Sequence, residues 1–237
     1  TALIIGISSL IGDMKIDKTS ISFLLLVMIS SVILFSLIAV LSQEQILSQY
    51  IGFILLFLLA IYLIFTSVKT NVEREGDSAL DLNYKEKSVL LQIIFFILGV
   101  FLIIASSQLL IPTIEITALR IGIPQAVIAA TLVAFGTSLP ELVTGITAAK
   151  KGYPELAVGN VIGANILNIL FAIGFSARLS KNGLLISDNF YKLDMPFMLL
   201  SISIFTYMST SKNSKVSKKE GLILLLIYTA YLIINYI

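Results

Sequence analysis

The chain contains no cysteine and no histidine. Disulfides, thiolate nucleophiles, imidazole metal sites and histidine proton relays are therefore excluded, and ionic chemistry is left to carboxylates, amides, hydroxyls and backbone. Charge is scarce as well: charged residues make up 13% of the 237 positions and the formal net charge is +2, with the basic residues in the stretches between apolar runs. No stripe of positive charge is available for nucleic acid. Residues 1–11 carry no basic residue and lead straight into another apolar run, so they do not form a cleavable signal peptide. Regular polar/apolar alternation is also missing, which argues against a transmembrane barrel, whose strands need only about 9–11 residues.

What the chain has is apolar surface: 57% of its residues are apolar and the mean hydropathy is +1.00. No water-facing globule covers that much of it. Seven apolar runs fit helical membrane spans: residues 21–41, 46–65, 89–111, 124–149, 156–177, 196–208 with their flanks, and 221–236. The expected fold class is all-α, a polytopic transmembrane helix bundle.

The sequence repeats itself at an offset of about 168 to 169 residues. Ile5-Gly6-Ile7-Ser8-Ser9-Leu10 matches Ile173-Gly174-Phe175-Ser176-Ala177-Arg178, and Gly52-Phe53-Ile54-Leu55-Leu56 with Tyr62-Leu63-Ile64 matches Gly221-Leu222-Ile223-Leu224-Leu225 with Tyr231-Leu232-Ile233. Residues 1–67 thus read as the remnant of a first repeat, 68–87 as a linker and 88–237 as a complete second repeat of five spans. By this reading about 80 residues would precede Thr1 in the whole protein, and the site needs their helices to be complete. An odd number of spans makes two consecutive repeats enter the membrane from opposite faces, the inverted-repeat plan of secondary transporters. Of the 16 Lys and Arg residues, all but Arg120, Arg178, Lys181 and Lys192 fall on one face. That face is expected to be cytoplasmic, with the linker on it and the C-terminus outside, in the cell membrane.

One carboxylate lies deep in an apolar run: Glu141, within Ala134-Phe135-Gly136-Thr137-Ser138-Leu139-Pro140-Glu141. A charge at a helix centre costs roughly 2.5–3.5 kcal/mol on insertion scales, so such acids face a polar cavity or a partner. Pro140 has no amide hydrogen for the Gly136 carbonyl, and Gly136 tolerates the opened backbone. Thr137 and Glu141 share a helix face, so hydroxyl, carboxylate and loosened carbonyls converge, a hard oxygen set that suits Ca²⁺ and Na⁺. A packing kink would explain Pro140 and Gly136 without explaining Glu141.

The following span carries Gly159-Asn160-Val161-Ile162-Gly163-Ala164-Asn165-Ile166-Leu167-Asn168. Gly159 and Gly163 offer a small-xxx-small surface for close helix approach, so Asn160 and Asn165 read equally well as interhelical glue. Asn168, deeper in the span, is the better ligand candidate. Glu115 and Asp194 read as structural, Asp194 with Pro196 as a helix start, while Ser107 and Gln108 either line a cavity or pack between helices.

Together these two stretches, from Val133 to Leu142 and from Gly159 to Asn168, resemble the second α-repeat of the calcium/cation antiporter superfamily, in particular the prokaryotic sodium/calcium exchangers. The resemblance implies a ten-helix inverted repeat with no cofactor, transporting Ca²⁺ and Na⁺. It implies that Glu141 is the central ligand, that Thr137 and Ala134 supply backbone carbonyls, and that Ser138 helps to bind Na⁺. Two positions depart from the pattern: Ala164 stands where a serine is common, and Asn168 where an aspartate is often found.

The expected function is antiport of Ca²⁺ against Na⁺ by alternating access, with membrane lipid as solvent. Exchange against H⁺ or K⁺, a non-transporting membrane subunit and a cation channel remain alternatives at this point. An enzyme is not expected, because Gly136-Thr137-Ser138-Leu139-Pro140 is not a G-x-S-x-G elbow and no histidine base exists.

Overall fold

The computed structural model describes residues 1–12, 14–15, 18–76, 89–120, 122, 134–211 and 215–236. It divides into two compact units, Thr1–Phe65 with Ser138–Ile237, and Thr66–Thr137. The architecture is an all-α transmembrane bundle with short β-ladders at its ends.

The first unit opens with α1 (Ala2–Ile11), β1 (Met14–Lys15) and α2 (Lys18–Leu41). A turn with positive φ at Glu44 and Gln45 leads to β2 (Ile46–Leu47) and α3 (Gln49–Gly76). Residues 46–47, expected in a span, are instead strand. After α5 (Ala134–Lys150) comes a long helix built of α6 (Pro154–Leu167), a π-helical segment (Asn168–Ile173) and α7 (Gly174–Leu179). Then follow β3 (Leu184–Leu185), a second π-helical segment (Phe190–Asp194), α8 (Met195–Thr210), β4 (Lys215–Val216) and α9 (Lys218–Tyr236). Among the described residues, three helical stretches are long and apolar enough to cross a membrane: Ile21–Leu41, Gln49–Val68 and Pro154–Leu179.

The second unit contains the end of α3 and α4 (Val89–Arg120), with Pro112 inside the helix. The α4 helix ends at Gly122, whose φ of 79° is open to glycine and whose N–H bonds the Leu119 carbonyl at 3.2 Å. The α3 helix continues through Gly76, into the expected 68–87 linker, because Glu73, Arg74 and Glu75 are good helix formers. Residues 77–88, the rest of that linker, and residues 124–133 of the expected fourth span lie outside the described residues.

Local chemistry fixes the helix ends. At the close of α5, Gly152 takes φ 78°, its N–H bonds the Ala149 carbonyl and the Tyr153 N–H bonds the Ala148 carbonyl at 2.9 Å. This is a Schellman turn, and Pro154 then starts α6 where a missing N–H costs nothing. At the start of α9, Glu220 accepts hydrogen bonds from the Ser217 N–H (2.7 Å) and hydroxyl (2.8 Å), a capping arrangement legible as Ser-Lys-Lys-Glu.

The matched segments pack on one another across the first unit. A methyl group at Gly6 would stand 3.0 Å from the Gly221 carbonyl oxygen, and one at Gly52 would stand 2.6 Å from that of Gly174. Gly6 is the repeat counterpart of Gly174, and Gly52 of Gly221, so one contact occurs twice with the repeats exchanged. The ladders obey the same rule: β1 pairs with β4 (Met14 opposite Val216) and β2 with β3 (Ile46 opposite Leu185). Since β1 and β2 lie at opposite ends of α2, the equivalent strands β1 and β3 also lie at opposite ends. That is the geometry of an inverted repeat.

Gly159 and Gly163, expected to admit a close neighbour, have no described atom within 4 Å of where a methyl group would stand. The close approach in the first unit is made by the other glycines. Gly52→Ala should be damaging, because the new methyl would meet backbone, Arg178 N at 2.5 Å and Gly174 O at 2.6 Å. Thermal unfolding in detergent should register a loss of about 1–3 kcal/mol, larger than for Gly174→Ala, whose nearest atom is Leu55 Cβ at 3.0 Å.

Candidate functional site

The α5 helix runs through Pro140 without a break, and Ser138, Glu141, Leu142, Gly145 and Ala148 follow at helical spacing along one stripe. Leu142, Gly145 and Ala148 are buried. A methyl at Gly145 would meet Ser8 Oγ at 3.0 Å and Ile4 Cγ2 at 3.2 Å, and one at Gly12 would meet the Ala149 carbonyl at 3.4 Å. Helices α1 and α5 therefore run side by side in the same direction. Continuing the stripe backwards brings Glu141 to the start of α1, within electrostatic reach of Thr1.

The third element is α6. Asn165 donates from Nδ2 to Thr1 Oγ1 at 2.6 Å and to the Val161 carbonyl at 2.8 Å, which places its amide beside the same start of α1. Asn165 thus joins α6 to the start of α1, and Glu141 on α5 lies towards that same end of α1.

Glu141 Oε2 is buried without a hydrogen-bond partner, as are Ser8 Oγ on α1 and Asn160 Nδ2 on α6. An orphaned buried polar atom costs roughly 1–3 kcal/mol, more if charged. A hard cation would relieve the carboxylate oxygen. The amide nitrogen of Asn160 cannot ligate a cation, so only its oxygen could serve. Among the described residues no group of three or more acidic side chains is assembled.

Of the candidates named from sequence, Glu141 and Ser138 are both half-buried in the first unit. Thr137 is exposed and belongs to the second unit, while Ala134 opens α5 and its side chain lies outside the described residues. Asn168 is exposed and begins the π-helical segment, where the wider turn resets the helix register. Asn168 and Asn165 line one cavity of about 380 Å³ at the β2–β3 end, together with Ser187, Asp194 and apolar walls that include Phe35 and Met198. No direct contact between Asn168 and Glu141 is found among the described residues; Asn165 is the residue common to both places.

Asp194 departs from expectation. It stands at the N-cap of α8 but makes no capping hydrogen bond. Its Oδ1 instead accepts from the Tyr231 hydroxyl at 2.9 Å, and the residue lines the cavity. Nothing in the spacing of Asp194 and Tyr231 signals the pairing, because α8 and the β4 turn separate them. In the second unit Gln108 is exposed, and the side chains of Ser107 and Glu115 lie outside the described residues.

A family model described as sodium/calcium exchanger protein matches residues 91–237. The chain belongs to this family. Sodium/calcium exchanger MaX1 of Methanosarcina acetivorans is 38% identical over 114 residues, 48% of this chain and 32% of that protein. An uncharacterized membrane protein of Methanocaldococcus jannaschii is 30% identical over 226 residues, 95% of this chain and 69% of the relative. The solved sodium/calcium exchanger from Methanococcus jannaschii superposes with a TM-score of 0.66 at 28% identity, over 98% of this chain and 70% of that one. The match to MaX1 thus spans about a third of that relative's length.

The orphaned carboxylate generates a stability test. In chelator without Na⁺, Glu141→Gln should unfold at no lower temperature than the parent, since it replaces a carboxylate whose Oε2 has no hydrogen-bond partner. Added Ca²⁺ should stabilise the parent by about 2.7 kcal/mol at a hundredfold excess over Kd and leave the variant unmoved, as read by thermal melts.

Proposed function

We propose that this chain exchanges Ca²⁺ for Na⁺ across the cell membrane by alternating access, with Glu141 as its central ligand. The observation that supports this most directly is the buried, unpartnered Oε2 of Glu141 on a helix of an otherwise apolar bundle. Relatives named as sodium/calcium exchangers support the choice of ions.

The ligand set carried by this reading is Glu141 with Ser138, the backbone carbonyls of Ala134 and Thr137, and Asn168, completed by a carboxylate from the complementary repeat. One Ca²⁺ or several Na⁺ neutralise these carboxylates at overlapping positions, so the ions compete. An unloaded site would carry bare charge through an apolar barrier at a cost of several kcal/mol per ion, so reorientation is restricted to loaded states and the two fluxes are coupled. Asn168 supplies a neutral oxygen where an aspartate is common, which removes one negative charge from the site and argues against a requirement for K⁺. The lysine-rich β1–β4 end, with exposed Lys150, Lys151, Lys218 and Lys219, is placed in the cytoplasm and the C-terminus outside.

In vesicles carrying the full exchanger polypeptide, Glu141→Gln should reduce Na⁺-driven Ca²⁺ uptake by roughly a hundredfold or more, the factor for losing about 3 kcal/mol. Uptake by the parent should follow an imposed Na⁺ gradient and not an H⁺ or K⁺ gradient. Normal uptake by the variant would remove Glu141 from the site.

A further inference from the structure

The cavity at the β2–β3 end is the feature that exchange at Glu141 leaves unexplained. Both π-helical segments contribute to its wall: Asn168 begins the first and Asp194 ends the second. A π-helical turn carries an additional residue, so side chains at its ends leave the regular helix faces. The polar lining is made of a carboxylate, two carboxamides and a hydroxyl, all hard oxygen donors, from Asp194, Asn165, Asn168 and Ser187. One end of this lining, Asn165, reaches the start of α1 through its bond to Thr1.

The carboxylate of Asp194 has no structural duty as a cap, since α8 starts without a side-chain bond from it. Tyr231 holds Oδ1, and a carboxylate accepts up to about four hydrogen bonds or ligands, so Oδ2 is left for another partner. The nearby Asp188 is differently placed, with its Oδ1 engaged by Gln45 Nε2 at 2.7 Å. The repeat sharpens the point. At the repeat offset of about 169 residues, Asp194 corresponds to Leu25, or to Leu24 if the offset defined by β1 and β3 is used. Either way the inverted counterpart is a leucine. The acid is therefore not a product of the shared architecture but belongs to one end of the bundle only.

We propose that Asp194 is an outer cation station: with Ser187 it takes a partly hydrated hard cation, divalent in preference to monovalent, at the β2–β3 end before the cation passes Asn168 and Asn165 to Glu141. The role in transport rests on the exchange reading above; the binding itself is independent of it. One carboxylate with neutral oxygens makes a weak site, in the range of about 10⁻⁴–10⁻³ M, which suits a station that must release its ion inward. With a leucine at its repeat counterpart, the station concentrates cations at the β2–β3 end.

Terbium(III) bound near a tyrosine luminesces on excitation of the ring, and the chain has nine tyrosines and no tryptophan to compete. The test uses purified protein carrying Glu141→Gln, so that the inner ligand is silent. This protein should show terbium luminescence that Ca²⁺ displaces. Adding Asp194→Asn should lower it about fivefold or more, Asp194→Glu should keep it, and Asp188→Asn should leave it unchanged. Tyr231→Phe should dim the luminescence while Ca²⁺ still displaces what remains. Equal luminescence with and without Asp194→Asn, in protein whose helical circular dichroism is intact, overturns the station and leaves the cavity to an acyl chain. A Glu141→Gln protein that transports normally would defeat the exchange site without touching this result.

Discussion

A carboxylate oxygen buried without a partner is costly, and in the first unit Glu141 Oε2 is such an atom. The surrounding helices satisfy their own backbone groups, so they neither need nor supply a partner for Oε2. What they supply is position. Small residues along one stripe of α5 let α1 lie close, and Asn165 ties the start of α1 to α6. The acid is held in place by packing and is left electrically incomplete by the same packing.

Rigid placement of that acid depends on the way the repeats clasp one another. Each glycine contact and each ladder joins a segment of one repeat to a segment of the other, never two segments of the same repeat. The result is a frame tied at both ends, with α2 and α8 between the ties. Chemistry then departs from symmetry: Asp194 and its cavity exist at one end, a leucine at the other. A symmetric frame with unlike ends suits a device in which the two sides of a membrane present different ions.

Much of this was legible in the sequence for reasons that are local. Glu141 announced itself because a lone charge in an apolar run is costly wherever the chain goes. The ends of α5, α6 and α9 followed from Gly152, Pro154 and the Ser217–Glu220 pair, which act within a few residues. The internal repeat could be read because Gly6 and Gly174 keep similar neighbours in the sequence. The contacts themselves could not. Small-xxx-small spacing drew attention to Gly159 and Gly163, whereas Gly6 and Gly52, spaced four residues after Ala2 and Ser48, are recognised as contact points only once their distant partners are known. Asp194 looked like a helix start because Pro196 follows it, and only the fold brings Tyr231 across to turn its side chain away from that task. The linker was read from polarity, and helix propensity carried α3 further than polarity suggested.

The packing of α1 on α9 has a consequence for how the molecule is made. Synthesis runs from α1 towards α9, yet the surface that covers Gly6 is Gly221 and Leu225, far along the chain. Until α9 is made, the Gly6 face of α1 lacks these two neighbours. Contacts between such distant residues are slow to form. A helix that leaves the ribosome late locks one that left it early, so assembly of the bundle is a closing step that awaits the arrival of α9.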